Sequence, residues 1–132
     1  MEIIPYQPGR DQKQLHEIML LEGDEWSDYS SDAGFALYGR ALKASITYVA
    51  RDGDRLCGFS RSINDNGLSL YVLDLLITPV YRGQGLGRQL MQCLFDDYPG
   101  MTVYVTSDVD PYYSKLGYKR EGTVFQVISK RP

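Results

Sequence analysis

Histidine occurs once in this chain, at position 16, tryptophan once, at 26, and cysteine twice, at 57 and 93. So few imidazole and thiol groups leave no His/Cys cluster with metal-ligand spacing, and no metal is expected. Both cysteines lie among apolar residues, where buried free thiols are expected rather than a disulfide. Basic residues are not in excess either. The 14 Lys and Arg against 17 Asp and Glu leave a net charge of −3, with no surplus to neutralise a phosphate backbone, so no nucleic-acid partner is expected. No apolar run approaches the roughly 18 to 20 residues that cross a bilayer, so no membrane partner is expected. The opening Met1-Glu2-Ile3-Ile4-Pro5 lacks the basic and long apolar regions of a secretory signal, and a cytoplasmic setting is expected. What is present, 132 residues with 43% hydrophobic and 23% charged content, suits one globular domain covering residues 1–132.

The chain begins with a strand candidate, Glu2 to Tyr6, closed by Pro8-Gly9. A helix from about Asp11 to Leu21 follows, with Leu15, Ile18 and Met19 on one face. After a polar stretch, Ser31 or Asp32 can cap a second helix whose Phe35, Tyr38 and Leu42 share a face. The period then changes. Ser45 to Arg51 and Leu56 to Ile63 read as a hairpin joined at Asp52-Gly53. Leu68 to Ile77, apolar on both alternations, reads as a central strand covered on both faces. Helical spacing returns at Leu86, Leu90, Cys93 and Leu94, and Tyr98-Pro99-Gly100 stops that helix. Met101 to Val105 reads as a strand parallel to its predecessor. Asp110 to Leu116 reads as a short helix, and Tyr118 to Arg120 with Val124 to Ser129 as a closing pair of strands.

The most informative stretch is Tyr81-Arg82-Gly83-Gln84-Gly85-Leu86-Gly87-Arg88, between the buried strand and the amphipathic helix. Glycines there allow close approach to successive backbone N–H groups, which together with the positive end of the helix dipole suit a phosphate or diphosphate. Arg82 and Arg88 add charge at the two ends. The loop is not a Walker loop, because Arg88-Gln89 stands where Lys and then Ser or Thr are required. It is not a dinucleotide fingerprint either, because Arg88 stands at the third glycine position.

Arg82-x-x-Gly85-x-Gly87 resembles the acyl-CoA diphosphate signature of the GNAT N-acetyltransferase family. Two further segments are similar: Asp74-Leu75-Leu76-Ile77-Thr78-Pro79 resembles the strand that family sets beside the pantetheine arm, and Tyr112-Tyr113-Ser114-Lys115-Leu116-Gly117-Tyr118 resembles its Phe-Tyr-Glu-Lys-Leu-Gly-Phe segment. The order of elements agrees over nearly the whole chain. The resemblance implies an α/β (α+β) GNAT fold, a mixed and mostly antiparallel sheet of about six to seven strands flanked by about four helices. It implies acetyl-CoA as co-substrate and direct attack by an amine in a ternary complex.

Residue by residue, it implies that the backbone of Arg82, Gly83, Gln84, Gly85, Leu86, Gly87 and Arg88 holds the coenzyme diphosphate. Leu75, Leu76 and Ile77 would pair with the pantetheine amides, and the Ile77 N–H would face the developing oxyanion. Tyr113 matches the family's general acid, a phenol that is protonated at neutral pH and suited to a leaving thiolate. Tyr112 stands at the family's Phe and reads as packing. Asp74, a carboxylate inside an apolar strand, reads either as the general base or as a structural carboxylate. His16 reads as a surface residue. Thr106 replaces an Asn common in the family, so that residue's contact does not transfer; Ser107 and Asp108 read as turn and cap residues.

The acceptor is expected near the first two helices. Glu22, Asp24, Glu25, Asp28 and Asp32 lie there with Trp26 and Tyr29 interleaved, a combination that attracts and stacks on a cationic amine. The expected acceptor is a small-molecule amine or a protein amine, and the resemblance admits a homodimer. Two alternatives stand beside this reading: a non-catalytic CoA-binding or regulatory module of the same fold, and a phosphate-binding interaction domain unrelated to CoA.

Overall fold

The computed structural model describes residues 1–107 and 109–130. Strand β1 is Glu2–Pro5 and helix α1 Pro8–Glu22; a 3-10 turn, Asp24–Trp26, and a single turn α2, Ser27–Ser30, lead to α3, Asp32–Ala44. Strands β2 (Ile46–Asp52), β3 (Arg55–Asn64) and β4 (Leu70–Ile77) come next, then α4 (Leu86–Asp97), β5 (Val103–Val105) and α5 (Asp110–Lys115). The strands form one sheet in the order β1-β2-β3-β4-β5, antiparallel except for the parallel pair β4/β5.

Local chemistry accounts for the boundaries. Pro8 stands in the first turn of α1, where its missing N–H costs nothing, and the Asp11 carboxylate reaches back to accept from the Gln7 N–H at 2.8 Å. Ser31 caps α3 by accepting from the Gly34 N–H. The β2/β3 hairpin turns at Gly53 with φ +59°, as the Asp52-Gly53 pair requires. Helices α1 and α3 cover one face of the sheet, where Leu15, Met19, Phe35 and Leu42 pack on Val49, Phe59 and Leu76. Helix α4 covers the other, with Leu90 and Leu94 against Tyr48, Leu70 and Val72.

The expectation of six to seven strands is corrected to five among the described residues. The pair at Tyr118–Arg120 and Val124–Ser129 is absent, and residues 118–130 carry no regular structure. These residues have strand-like composition but form no ladder among the described residues: Val124, Phe125, Val127 and Ile128 are all exposed, and a strand needs a ladder to exist. The polar stretch after α1 contains the two short turns named above. Cys57 and Cys93 are free thiols.

Strand β4 holds the feature that positions the site. Along β3 the pairing runs Arg61 opposite Asp74, then Ser62 opposite Val72, so Leu73 is an extra residue, a β-bulge. The bulge reverses the alternation. Leu70 and Val72 before it, and Leu75 and Ile77 after it, face α4, whereas Leu76 joins the α1/α3 core and Asp74 bonds α3.

Candidate active site

Strands β4 and β5 touch only at one end. Pairing runs from Leu70/Val103 to Val72/Val105, and the Thr106 N–H makes a last bond to the Val72 carbonyl at 3.0 Å. Beyond the bulge at Leu73 the strands part. The Thr78 N–H donates to the Cys57 carbonyl on β3. Because hydrogen-bonded and non-bonded pairs alternate in an antiparallel ladder, Leu76 opposite Phe59 also turns its peptide groups to β3. Leu75 and Ile77 turn theirs into the gap. Leu75 and Ile77 therefore turn peptide groups toward the gap, where the Ile77 carbonyl accepts from Arg82, whereas Leu76 turns its peptide groups to the ladder and its side chain to the core.

The gap leads to the N-terminus of α4. Gly83 and Gly85 hold φ of +80° and +79°, values that favour glycine, and a Cβ on either would meet open space. Gly85 caps α4 without a side-chain acceptor, and the first helical bond runs from the Gln89 N–H to the Gly85 carbonyl. Among the described residues, the N–H groups from Gly83 through Arg88 have no hydrogen-bond acceptor. Gln84 and Arg88 are exposed and Leu86 is buried, anchoring the turn. The loop can thus offer several donors at once to an anion with no metal between them. Among the described residues no group of His, Cys, Asp and Glu is placed to hold a metal ion.

Arg82 does not stand free at the loop's edge. Its Nε donates to the Ile77 carbonyl at 2.9 Å and one terminal nitrogen pairs with Glu22 at 2.5 Å. Gly87 is a packing glycine: a Cβ there would lie 2.3 Å from the Tyr112 hydroxyl and 3.3 Å from Leu75 Cδ2. Tyr112, read from the sequence as packing, thereby sets a hydroxyl at the mouth of α4. Burial raises its pKa first, the neighbouring Tyr118 adds to this, and Arg88 offsets part of the shift. The only signal for it in the sequence is Tyr where the resembling motif has Phe. Tyr113 packs edge-on against Tyr112 at 4.9 Å and stacks with Tyr118 at 6.1 Å. It lines a groove of about 950 Å³ with Tyr71, Val105, Thr106 and Ser107. Ser107 caps the turn into α5, accepting from the Val109 N–H and donating to Asp110. Asp108 lies outside the described residues.

On the α1/α3 face, Asp74 Oδ2 accepts from Arg61 Nε at 2.6 Å and from the Tyr38 hydroxyl at 2.7 Å. Burial, then the charge of Asp74 and its hydrogen bond, drive the Tyr38 phenol above its ordinary range. Burial lowers the Arg61 guanidinium, but Asp74 outweighs it and the net shift is upward. Tyr29 stacks on Tyr38 at 4.8 Å, and Trp26 meets Phe59 edge-on at 6.0 Å. The two expected acceptor aromatics therefore connect through Tyr38 to Asp74, while Tyr113 lies by β5. His16 is no plain surface residue: it stacks on Phe35 at 3.9 Å, and its Nε2 bonds the Ser30 carbonyl at 2.7 Å.

A family model described as Acetyltransferase (GNAT) domain matches residues 43–120, which include β2 through α5 and both edges of the gap. The chain belongs to the GNAT acetyltransferase family. Among relatives of this GNAT chain, an uncharacterized N-acetyltransferase, ycf52, of Porphyra purpurea is 33% identical over 91 residues, 65% of this chain and 52% of the relative. The chain thus spans about half the length of the curated relatives it matches. Aminoglycoside 6'-acetyltransferase type Ii superposes with TM-score 0.74 at 24% identity, over 92% of this chain and 85% of that one. Aminoglycoside N-acetyltransferase AAC(6')-Iy, solved in complex with CoA, gives 0.74 at 15% identity, over 98% and 95%. At these identities the likeness to the solved structures is one of fold. Among the described residues, no helix of this GNAT domain is long and apolar enough to cross a membrane.

Proposed function

We propose that residues 1–132 form one N-acetyltransferase domain that moves an acetyl group from acetyl-CoA to an amine. The observation that carries this reading is the gap between β4 and β5, which runs from the Leu75 and Ile77 peptide edge to the uncapped amides of α4. The coenzyme is a chain with two amides ending in a diphosphate. The edge suits the amides by strand addition and the loop suits the diphosphate, so the residues fit the group.

In the reaction the amine nitrogen attacks the thioester carbonyl carbon, and a C–N bond forms as the C=O electrons move to oxygen. We assign the Ile77 N–H, on the gap side of β4, as the donor to that oxyanion. Collapse breaks the C–S bond, and Tyr113 gives its phenolic proton to the leaving sulfur. Asp74 enters as a positioning residue for Tyr38 and Arg61 rather than as the base. Its Oδ2 already accepts two hydrogen bonds, and protonation there would break the ion pair. The surplus proton on the attacking nitrogen then leaves to solvent, and solvent returns a proton to the Tyr113 phenolate. The acceptor is an amine, small or protein-borne, that is drawn as a cation through Trp26 and Tyr29 by the carboxylates around them and gives one proton to solvent before it attacks.

Calorimetry and thermal shift with acetyl-CoA, ATP and NAD test the coenzyme. Thiol release with spermidine, kanamycin and a lysine-rich peptide tests the transfer. Binding and stabilisation by acetyl-CoA alone, with thiol release, are the expected results. Binding without release makes the domain a CoA-binding module, and no heat with acetyl-CoA removes the reading altogether.

A further inference from the structure

Arg82 and Glu22 lie 60 positions apart in the chain and meet at 2.5 Å. Glu22 is the last residue of α1, and no basic residue occupies that helix's last turn. A carboxylate there faces the negative end of the helix dipole, an unfavourable place unless a cation answers it. Arg82 answers it. The same guanidinium donates through Nε to the Ile77 carbonyl, which the ladder turns away from β3. One side chain thus ties together the tip of β4, the first residue of the glycine loop and the end of α1. Glu22 is only 19% exposed although it sits at the surface end of its helix. The segment that starts at Glu22 carries Trp26 and Tyr29, with the Trp26 N–H bonded to the Gly23 carbonyl.

We propose that Arg82 is a positioning residue for the acceptor, acting through Glu22 to hold the Trp26 and Tyr29 wall at a fixed place relative to the tip of β4. This rests on the acetyltransferase reading above. Its role differs from that of a charge aimed at the diphosphate: the fork of the guanidinium is committed to a carbonyl and a carboxylate, geometry that a lysine cannot reproduce at both.

The test compares Glu22→Gln, Arg82→Gln, Arg82→Lys and the double Glu22→Gln/Arg82→Gln variant. CoA affinity is read by calorimetry, folding by thermal melting, and acceptor KM and kcat by thiol release with spermidine, kanamycin and a lysine-rich peptide. For Glu22→Gln the expected result is an acceptor KM raised about threefold or more, with CoA affinity within about twofold of the parent. Arg82→Lys should recover less than half of the acceptor KM lost in Arg82→Gln, and the double variant should be no worse than Arg82→Gln alone. An unchanged acceptor KM in Glu22→Gln overturns the proposal. So does a parallel loss of CoA affinity in that variant, full recovery by lysine, or additive losses in the double. A parent protein that neither binds CoA nor releases thiol brings down the functional reading and this inference together. An active parent with an indistinguishable Glu22→Gln variant brings down this inference alone.

Discussion

Thr106 donates its hydroxyl to the Leu73 carbonyl across 3.2 Å, and the two residues together mark where β4 and β5 separate. The bulged residue has no partner in the β3 ladder, and its carbonyl accepts from the Thr106 hydroxyl instead. Replacing Thr106 by Val keeps the shape and removes the donor, so stability should fall by about 1 kcal/mol in a denaturant titration. Thr106→Ser, which keeps the hydroxyl, should lose less. A valine variant as stable as the parent would show that the bond holds nothing.

The bulge makes the number of residues in β4 matter more than the identity of one of them. Deleting Leu73 would make the ladder regular, with Arg61 still opposite Asp74 and Ser62 opposite Val72, so the residues after it keep their faces while the local kink is lost. The deletion protein should still unfold cooperatively by circular dichroism but bind CoA about tenfold more weakly by calorimetry, because the kink lies where β4 parts from β5. Leu73→Ala, which keeps the count, should hold CoA affinity within about twofold. A deletion protein that binds CoA as tightly as the parent would show that the bulge does not shape the gap.

Gly85 caps α4 in the left-handed region. Gly85→Ala should cost about 1 kcal/mol from backbone strain alone. It should also weaken CoA binding by about tenfold, since the adjacent N–H groups lose their common direction. Calorimetry that finds the affinity unchanged would place the diphosphate elsewhere.

The acid end of the stability curve should belong largely to Asp11. Burial pushes its carboxyl up, but hydrogen bonds from Arg10 and the Gln7 N–H, with the charges of Arg10 and Arg51, outweigh it and hold its pKa below the ordinary value. A depressed carboxyl contributes stability that is present above the unfolded value, about pH 4, and is lost as pH falls through the folded value. Asp11→Asn should therefore lower the melting temperature at neutral pH and flatten its decline below about pH 4. An unchanged acid limb would assign the loss to other groups.

Tyr113→Phe should lower kcat about a hundredfold while leaving CoA affinity within about twofold, the pattern of a lost proton donor. Unchanged turnover would remove the acid role. In that event Tyr112→Phe becomes the decisive variant, because Tyr112 places its hydroxyl beside Gly87.

Signals carried by single residues were legible in the sequence. Ser31 as a cap, the Asp52-Gly53 turn, the stop at Tyr98-Pro99-Gly100 and the glycine loop are local, and each stands where its chemistry requires. The bulge at Leu73 was not legible, for a physical reason. Strand β4 is apolar on both alternations, so an inserted residue leaves no break in the pattern, and the direction of Asp74 depends on parity alone. The partners of Arg82 were hidden by distance along the chain. The closing strands read plausibly because alternation reports what a segment could do, whereas pairing depends on whether a neighbour is there.

The sheet ends on β5, whose outer side pairs with nothing among the described residues, and the same chain carries Val124, Phe125, Val127 and Ile128 uncovered. An unpaired strand edge and an uncovered strand-like segment can pair between molecules. Concentrating the protein brings them together, so its shelf life in the tube should be set by crowding among molecules as much as by how warm each one can get before it melts. A lysine in place of Val127 is the cheapest remedy for storage, because a charge on an added strand spoils the copy without touching the site.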